Sequence, residues 1–406
     1  LAMWIRRTEV MTAAELLKIR FGDDPGGRCA RTATAAIIVI FLLFAVGYSY
    51  QGVGKFVATY VPFTPLQCAS VLMLTTGVYV MLGGFKSVIL TDVIQAILLN
   101  ICGIIVAVVA FKLIDVTALH AEVSTSLLPA WRLPEMADAQ PAYQKYELFG
   151  ALFLMYLAKG IIGSMGSPGG TYEEQRFLAT RNARDAAKAG LGWGLFLSIR
   201  WALIGGIAFM AVSLSLDVSD QETVLPNLIN VHLPVWLKPF LITGLLAAFM
   251  STFSSTVNSG ASFIVRDIWQ LYLKPDATEE QAVRFSAWAT VLLVILGIVI
   301  GFQADSIAQI WKWLMMALGA GVVIPNVLRW HWWRLNGWGY SCGMIGGIAL
   351  SFWSLIFPKT PMYYLFPAMC LASLVGCLLG SLLTRPEPVE TLASFYRTVR
   401  PFGWWK

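Results

Sequence analysis

The chain has 406 residues, of which 57% are hydrophobic and only 13% charged, with a mean hydropathy of +0.69. A soluble domain runs nearer half apolar and a quarter charged, so this composition excludes a single globular core and indicates a polytopic membrane protein. The net charge of +6 is spread through short loops rather than gathered on one face, which excludes a nucleic-acid partner and leaves topology as its role.

The first segment, 1–31, begins "LAMWIRRTEVMTAAELLKIRFG". It is charged and amphipathic and is expected to lie in the cytoplasm. Lacking an initiator methionine, it reads as the interior of a longer protein. A transmembrane domain follows over 32–384, with about ten spans predicted at 32–58, 65–83, 89–114, 149–167, 190–215, 236–257, 284–302, 307–328, 338–357 and 362–384. A cytoplasmic tail occupies 385–406. With 1–31 inside, the inner connections carry Lys86, Arg176, Arg181, Arg184, Lys188, Arg266, Lys274, Arg284, Arg329, Arg334 and the basic residues of the tail. The outer connections carry far fewer, so both termini are predicted to be cytoplasmic and the chain to sit in the inner (plasma) membrane. The longest outer loop, 116–147, reads as a lid-like excursion, and 173–190 as a charged inner helix or loop. Aromatic clusters at 329–340 and 361–366 read as interfacial anchors, with His331 in contact with lipid headgroups.

Metal-enzyme and nucleophile motifs are absent. The histidines, His120, His232 and His331, are far apart, and the six cysteines show no paired spacing. Three stretches carry chemistry instead. In "YVMLGGFKSVILTDVIQ" (79–95), Gly83 and Gly84 make a tight inner turn and Asp92 enters the next span. A carboxylate there is costly unless it meets a cation, a donor or water. It is either a cation-pathway residue or a cap beside Thr91. In "AKGIIGSMGSPGGTYEEQRF" (158–177), repeated glycines break an apolar run around Lys159, as in interrupted transporter helices. Lys159 reads equally as a substrate contact or a snorkelling lysine.

The third stretch is "GLLAAFMSTFSSTVNSGASFIVRD" (244–267). At about 100° per residue, Ala248, Ser251, Thr252 and Ser255 share an arc of roughly 100°, and Ser254 widens it by about 60°. Any one hydroxyl is more simply explained by a bond back to its own helix. So many on neighbouring positions, with a backbone carbonyl from Ala248, make one side of a site for a small hard cation such as Na⁺.

Together with "MTAAELLKIRFG" (11–22), "EEQRFLATRNARDA" (173–186) and "LRWHWWRLNGW" (328–338), these stretches resemble the sodium:solute symporter family in order and over almost the whole chain. The resemblance implies an all-α, leucine-transporter-like inverted-repeat fold. It also implies a sodium site at Ala248, Ser251 and Thr252, and a second at Ser254, Ser255 and Asp92. The family pattern places about three further helices before residue 11, so the first repeat is expected to be incomplete in this chain. Candidate solute contacts are Tyr48, Gln51, Tyr156, Lys159 and Gln309. The expected function is sodium-coupled import of a small polar solute across the bilayer. The alternatives are a proton-coupled carrier using Asp92, or a non-transporting sensor of the same fold.

Overall fold

The computed structural model describes residues 1–113, 131–132, 147–166, 172–213, 221–303, 307, 314, 321–357 and 360–405. In chain order the helices are α1 (Ala2–Arg7), α2 (Ala13–Phe21), α3 (Pro25–Ala58), α4 (Pro65–Leu113), α5 (Phe149–Gly166), α6 (Tyr172–Leu178), α7 (Ala183–Ser213), α8 (Val224–His232), α9 (Leu237–Phe263), α10 (Glu279–Gln303), α11 (Val323–His331), α12 (Gly337–Ser351), α13 (Trp353–Ile356), α14 (Met362–Leu383) and α15 (Val389–Val399). A π-helical turn over Ile264–Leu273 extends α9. Local chemistry sets several of these ends. Thr12 caps α2 by accepting from Glu15 N while Glu15 accepts in return from Met11 N. Asp24 caps α3 ahead of Pro25, and Asn336 caps α12.

Among the described residues, seven helices are long and apolar enough to cross a membrane: α3, α4, α5, α7, α9 with its extension, α10 and α14. α4 accounts for two of the expected spans. Its 49 residues would reach about 74 Å at 1.5 Å each, over twice a hydrocarbon core. The helix folds at Gly84, where φ 55° and ψ −156° suit a residue without a Cβ. The turn expected at Gly83–Gly84 is therefore present. α12 has only 15 residues, and most of 307–328 lies outside the described residues. So does nearly all of the 116–147 loop. The charged stretch 173–190 is helical at both ends, as α6 and the start of α7.

Two expectations change. The glycines at 160 and 163 do not interrupt α5, which continues to Gly166. Helical hydrogen bonding tolerates them, and neither abuts a neighbour. At Gly166 a Cβ would lie 2.9 Å from Val327 N, and its carbonyl accepts from Trp330 Nε1, so α11 crosses there against bare backbone. Nor is the aromatic stretch 329–340 mainly an interfacial belt. Trp330 is fully buried, between Trp4 and Phe395, and His331 is buried with Nδ1 2.9 Å from Phe402 O rather than on headgroups.

These residues belong to a cap at the end of the bundle that carries both termini. Arg20 is its centre: fully buried, it donates to the carbonyls of Arg329 and Trp332 and lies over the rings of Phe21, Phe395 and Trp405. Trp405 Nε1 donates to Trp330 O, and Arg7 donates to Val399 O. Glu387 accepts from Gly337 N at 2.9 Å. Burial, then nearby Asp24, pushes its carboxyl up to about 7, against the pull of the Gly337 N–H and Arg20.

In the span region, α3 and α10 pack through small residues. A Cβ on Gly297 would stand 2.0 Å from Val46 Cγ1, and one on Gly301 2.8 Å from Tyr50 Cβ. Gly297→Ala should cost about 1–3 kcal/mol by overpacking. Gly205→Ala, which meets nothing within 4 Å, should be neutral or slightly stabilising. Thermal unfolding of the purified variants in detergent checks both. Because the Glu387 carboxyl is raised on docking, tail attachment is strongest below its undocked value and weakens as pH rises toward and through about 7. Amide-exchange protection of α15 should therefore fall between about pH 5 and pH 8, and Glu387→Gln should flatten that dependence.

Candidate cation site

The second arm of α4 begins after Gly84 and carries Asp92 in its interior, packed against α9. Thr91 donates back to Ser87 O and Val88 O, so helix continues through this point and Asp92 does not cap an N-terminus. The Asp92 side chain is 13% exposed. It is met by three donors. Ser251 Oγ donates to Oδ1 at 2.5 Å and Ser255 Oγ to Oδ2 at 3.2 Å. Arg176 of α6 donates to Oδ2 at 2.5 Å and also to Ser255 Oγ at 2.9 Å. A carboxylate in an apolar span is thus held by a charge-assisted pair and two hydroxyls, which offsets its desolvation.

The grouping differs from the sequence-based one. Ser251, assigned with Ala248 and Thr252, joins Asp92, because residues four apart on α9 face the same neighbour. Ser254, assigned with Asp92, donates instead to Ser251 O at 3.1 Å within its own helix. Ala248 is half-buried and Thr252 exposed. Thr252 gives its carbonyl to Thr256 Oγ1. The hydroxyl face continues past Ser255. Ser251, Ser255, Asn258 and Ser262 follow one another at intervals of four, three and four, a single stripe on α9. Asn258 Nδ2 donates to Gln175 Oε1 of α6 at 3.4 Å. Below it opens a cavity of about 610 Å³ lined by Gln175, Asn258, Ser262, Arg266, Glu279 and Gly84, at the end of the bundle that holds both termini.

The candidate solute contacts that lie among the described residues sit on α3 and α5. Gln51 Nε2 donates to Gly301 O at 2.6 Å, an interhelical bond between α3 and α10. Tyr48 is half-buried and packs on Leu314. Lys159 Nζ stands 5.8 Å over the ring of Tyr156 on α5, and Gln309 lies outside the described residues. Sequence reasoning missed two cations. Arg176 was counted only as an inner-loop charge, and nothing in "EEQRFL" marks it as reaching into a span. Arg200, in the middle of α7, was legible as an ionisable residue inside an apolar run.

The sodium:solute symporter family model matches residues 1–347. The chain belongs to the sodium:solute symporter family. It is 24% identical over 385 residues to the high-affinity proline transporter PutP of Bacillus subtilis, covering 92% of this chain and 77% of that protein. It is 25% identical over 404 residues to a sodium/proline symporter of Haemophilus influenzae, covering 93% and 75%. A sodium/pantothenate symporter of the same organism is 24% identical over 355 residues, with 86% and 69% covered. Among solved structures, the substrate-bound outward-open state of a Na⁺-coupled sialic acid symporter matches with a TM-score of 0.72 at 17% identity, covering 95% of this chain and 80% of that one. The leucine-transporter-like fold is thereby shown, in a multi-pass membrane transporter and not an enzyme.

Ser255→Ala removes a donor to Asp92 and an acceptor from Arg176 and should lower stability by about 1–3 kcal/mol. Ser254→Ala loses only a bond within its own helix and should change it by less than about 0.5 kcal/mol. Thermal unfolding of the two variants side by side checks the contrast.

Proposed function

We propose that this chain forms the transport region of a sodium-coupled symporter that imports a small polar solute, a sugar, an amino acid or another organic solute, by alternating access. The observation that carries this reading is the Asp92 cluster. A carboxylate and two hydroxyls converge from two membrane helices, with further hydroxyls alongside, in a family of sodium-coupled carriers. Oxygen donors of this kind suit a small hard cation. Sodium is bound by Asp92, Ser251 and Ser255, with the Ala248 carbonyl and the Thr252 hydroxyl supplying neighbouring oxygens. Solute is bound nearer Tyr48, Gln51, Tyr156, Lys159 and Gln309. Sodium favours the conformation that also binds solute, and the inward gradient then drives uptake. Segments 1–31 and 385–406, and with them the cavity below Asn258, face the cytoplasm of a cell bounded by this plasma membrane.

Uptake by proteoliposomes containing the full-length protein tests this, with radiolabelled proline, pantothenate and glucose as the solutes offered. An inward sodium gradient should drive accumulation of at least one of them. Ser251→Ala with Thr252→Ala should raise the sodium concentration for half-maximal uptake by roughly tenfold or more, which corresponds to about 1.4 kcal/mol. Equal accumulation without sodium would count against the reading. Accumulation driven by a proton gradient alone, lost in Asp92→Asn, would favour the proton-coupled carrier. Binding without accumulation would favour the sensor.

A further inference from the structure

We propose that Arg176 is a tethered cation that competes with sodium for Asp92 and takes its place when the ion leaves toward the cytoplasmic cavity. The proposal rests on the sodium reading above and assigns a role to a residue that this reading does not use.

The guanidinium occupies the positions a sodium ion would need. One nitrogen of Arg176 bonds both Asp92 Oδ2 and Ser255 Oγ, at 2.5 and 2.9 Å. A small cation bound between that carboxylate oxygen and that hydroxyl would use the same lone pairs. Two cations cannot share them at contact distance in a site where the Asp92 side chain is 13% exposed, because their repulsion is poorly screened there. Binding of one therefore expels the other.

The surroundings fit an exchange of the side chain alone: Glu174 on the same helix is buried 3.7 Å from Arg329 and anchors the helix, whereas the Arg176 side chain is 28% exposed. Arg176 sits on α6, a helix of seven residues that is separate from the spans it touches. In the same pose its guanidinium carbon is 5.6 Å from the Trp193 ring centroid, so the ring lines the space beside the site. The preceding residue, Gln175, accepts from Asn258 one turn along the polar stripe and lines the cavity. One short helix thus covers the stripe at two successive positions. When the Arg176 side chain withdraws, Ser251, Ser255, Asn258 and Ser262 are left as a line of polar groups from the carboxylate into the cavity. When it returns, Arg176 neutralises Asp92 and blocks rebinding. A carrier without its ion can then reorient without a bare carboxylate in the span, which the apolar surroundings would oppose.

The test is equilibrium binding of radiolabelled sodium to the purified full-length protein, with no solute present. Arg176→Gln removes the competitor and should tighten the apparent Kd by roughly tenfold, equivalent to about 1.4 kcal/mol. In an Asp92→Asn background the same change should have no further effect. A merely structural arginine would behave in the opposite way, since its loss would loosen the site. Unchanged or weakened sodium binding in Arg176→Gln, with saturable binding in the wild type, would overturn the competition and leave the sodium reading standing. No saturable binding in the wild type would remove both. Arg176→Met keeps the length of the side chain but not the charge and carries the same test if the glutamine variant does not yield folded protein. It should bind sodium more tightly than the wild type, and an unchanged Kd would overturn the proposal.

Discussion

The arrangement around Asp92 depends on one constraint: a carboxylate inside an apolar helix must be met by donors or charge. α4 supplies the carboxylate, and every donor that meets it comes from another element. Ser251 and Ser255 come from α9 and Arg176 from α6. That requirement fixes which face of α9 turns toward α4 and brings a short, charged helix against the membrane-spanning pair. The Gly84 fold serves the same end. It turns what would be an overlong helix into two arms and starts the second arm close enough to the terminal end for Arg176 to reach Asp92.

The terminal cap obeys a related rule. Arg20 is fully buried because backbone carbonyls and three aromatic faces replace its water. It joins α2 to the loop after α11 and to the tail, so residues more than 300 positions apart in the chain share one small core. Aromatic residues read as a membrane belt are spent here instead. Belt and cap draw on the same residue types, tryptophan and arginine, because both need an apolar body with a polar edge. The local sequence does not distinguish them.

The two ends of the polar stripe on α9 differ in kind. At one end stands a fixed negative charge with hydroxyls. At the other a cavity opens beside Arg266, which is paired with Glu279. Between them lie uncharged oxygens and amides only.

By itself the sequence determined that this is a membrane protein, where most of its helices run, that Gly83–Gly84 turns between two of them, and that Asp92 inside a span must find polar partners. These follow from hydropathy over about twenty residues, from glycine geometry and from the cost of burying charge, all of which are local. Only the tertiary structure decided which hydroxyls face the carboxylate. Ser251 and Ser255 do and Ser254 does not, because the choice depends on how α9 is rotated against α4. Only it showed Arg176 as the partner of Asp92, 84 positions away. An arginine on a short helix carries no mark of where its long side chain ends, and that is set by the packing of elements distant in the chain.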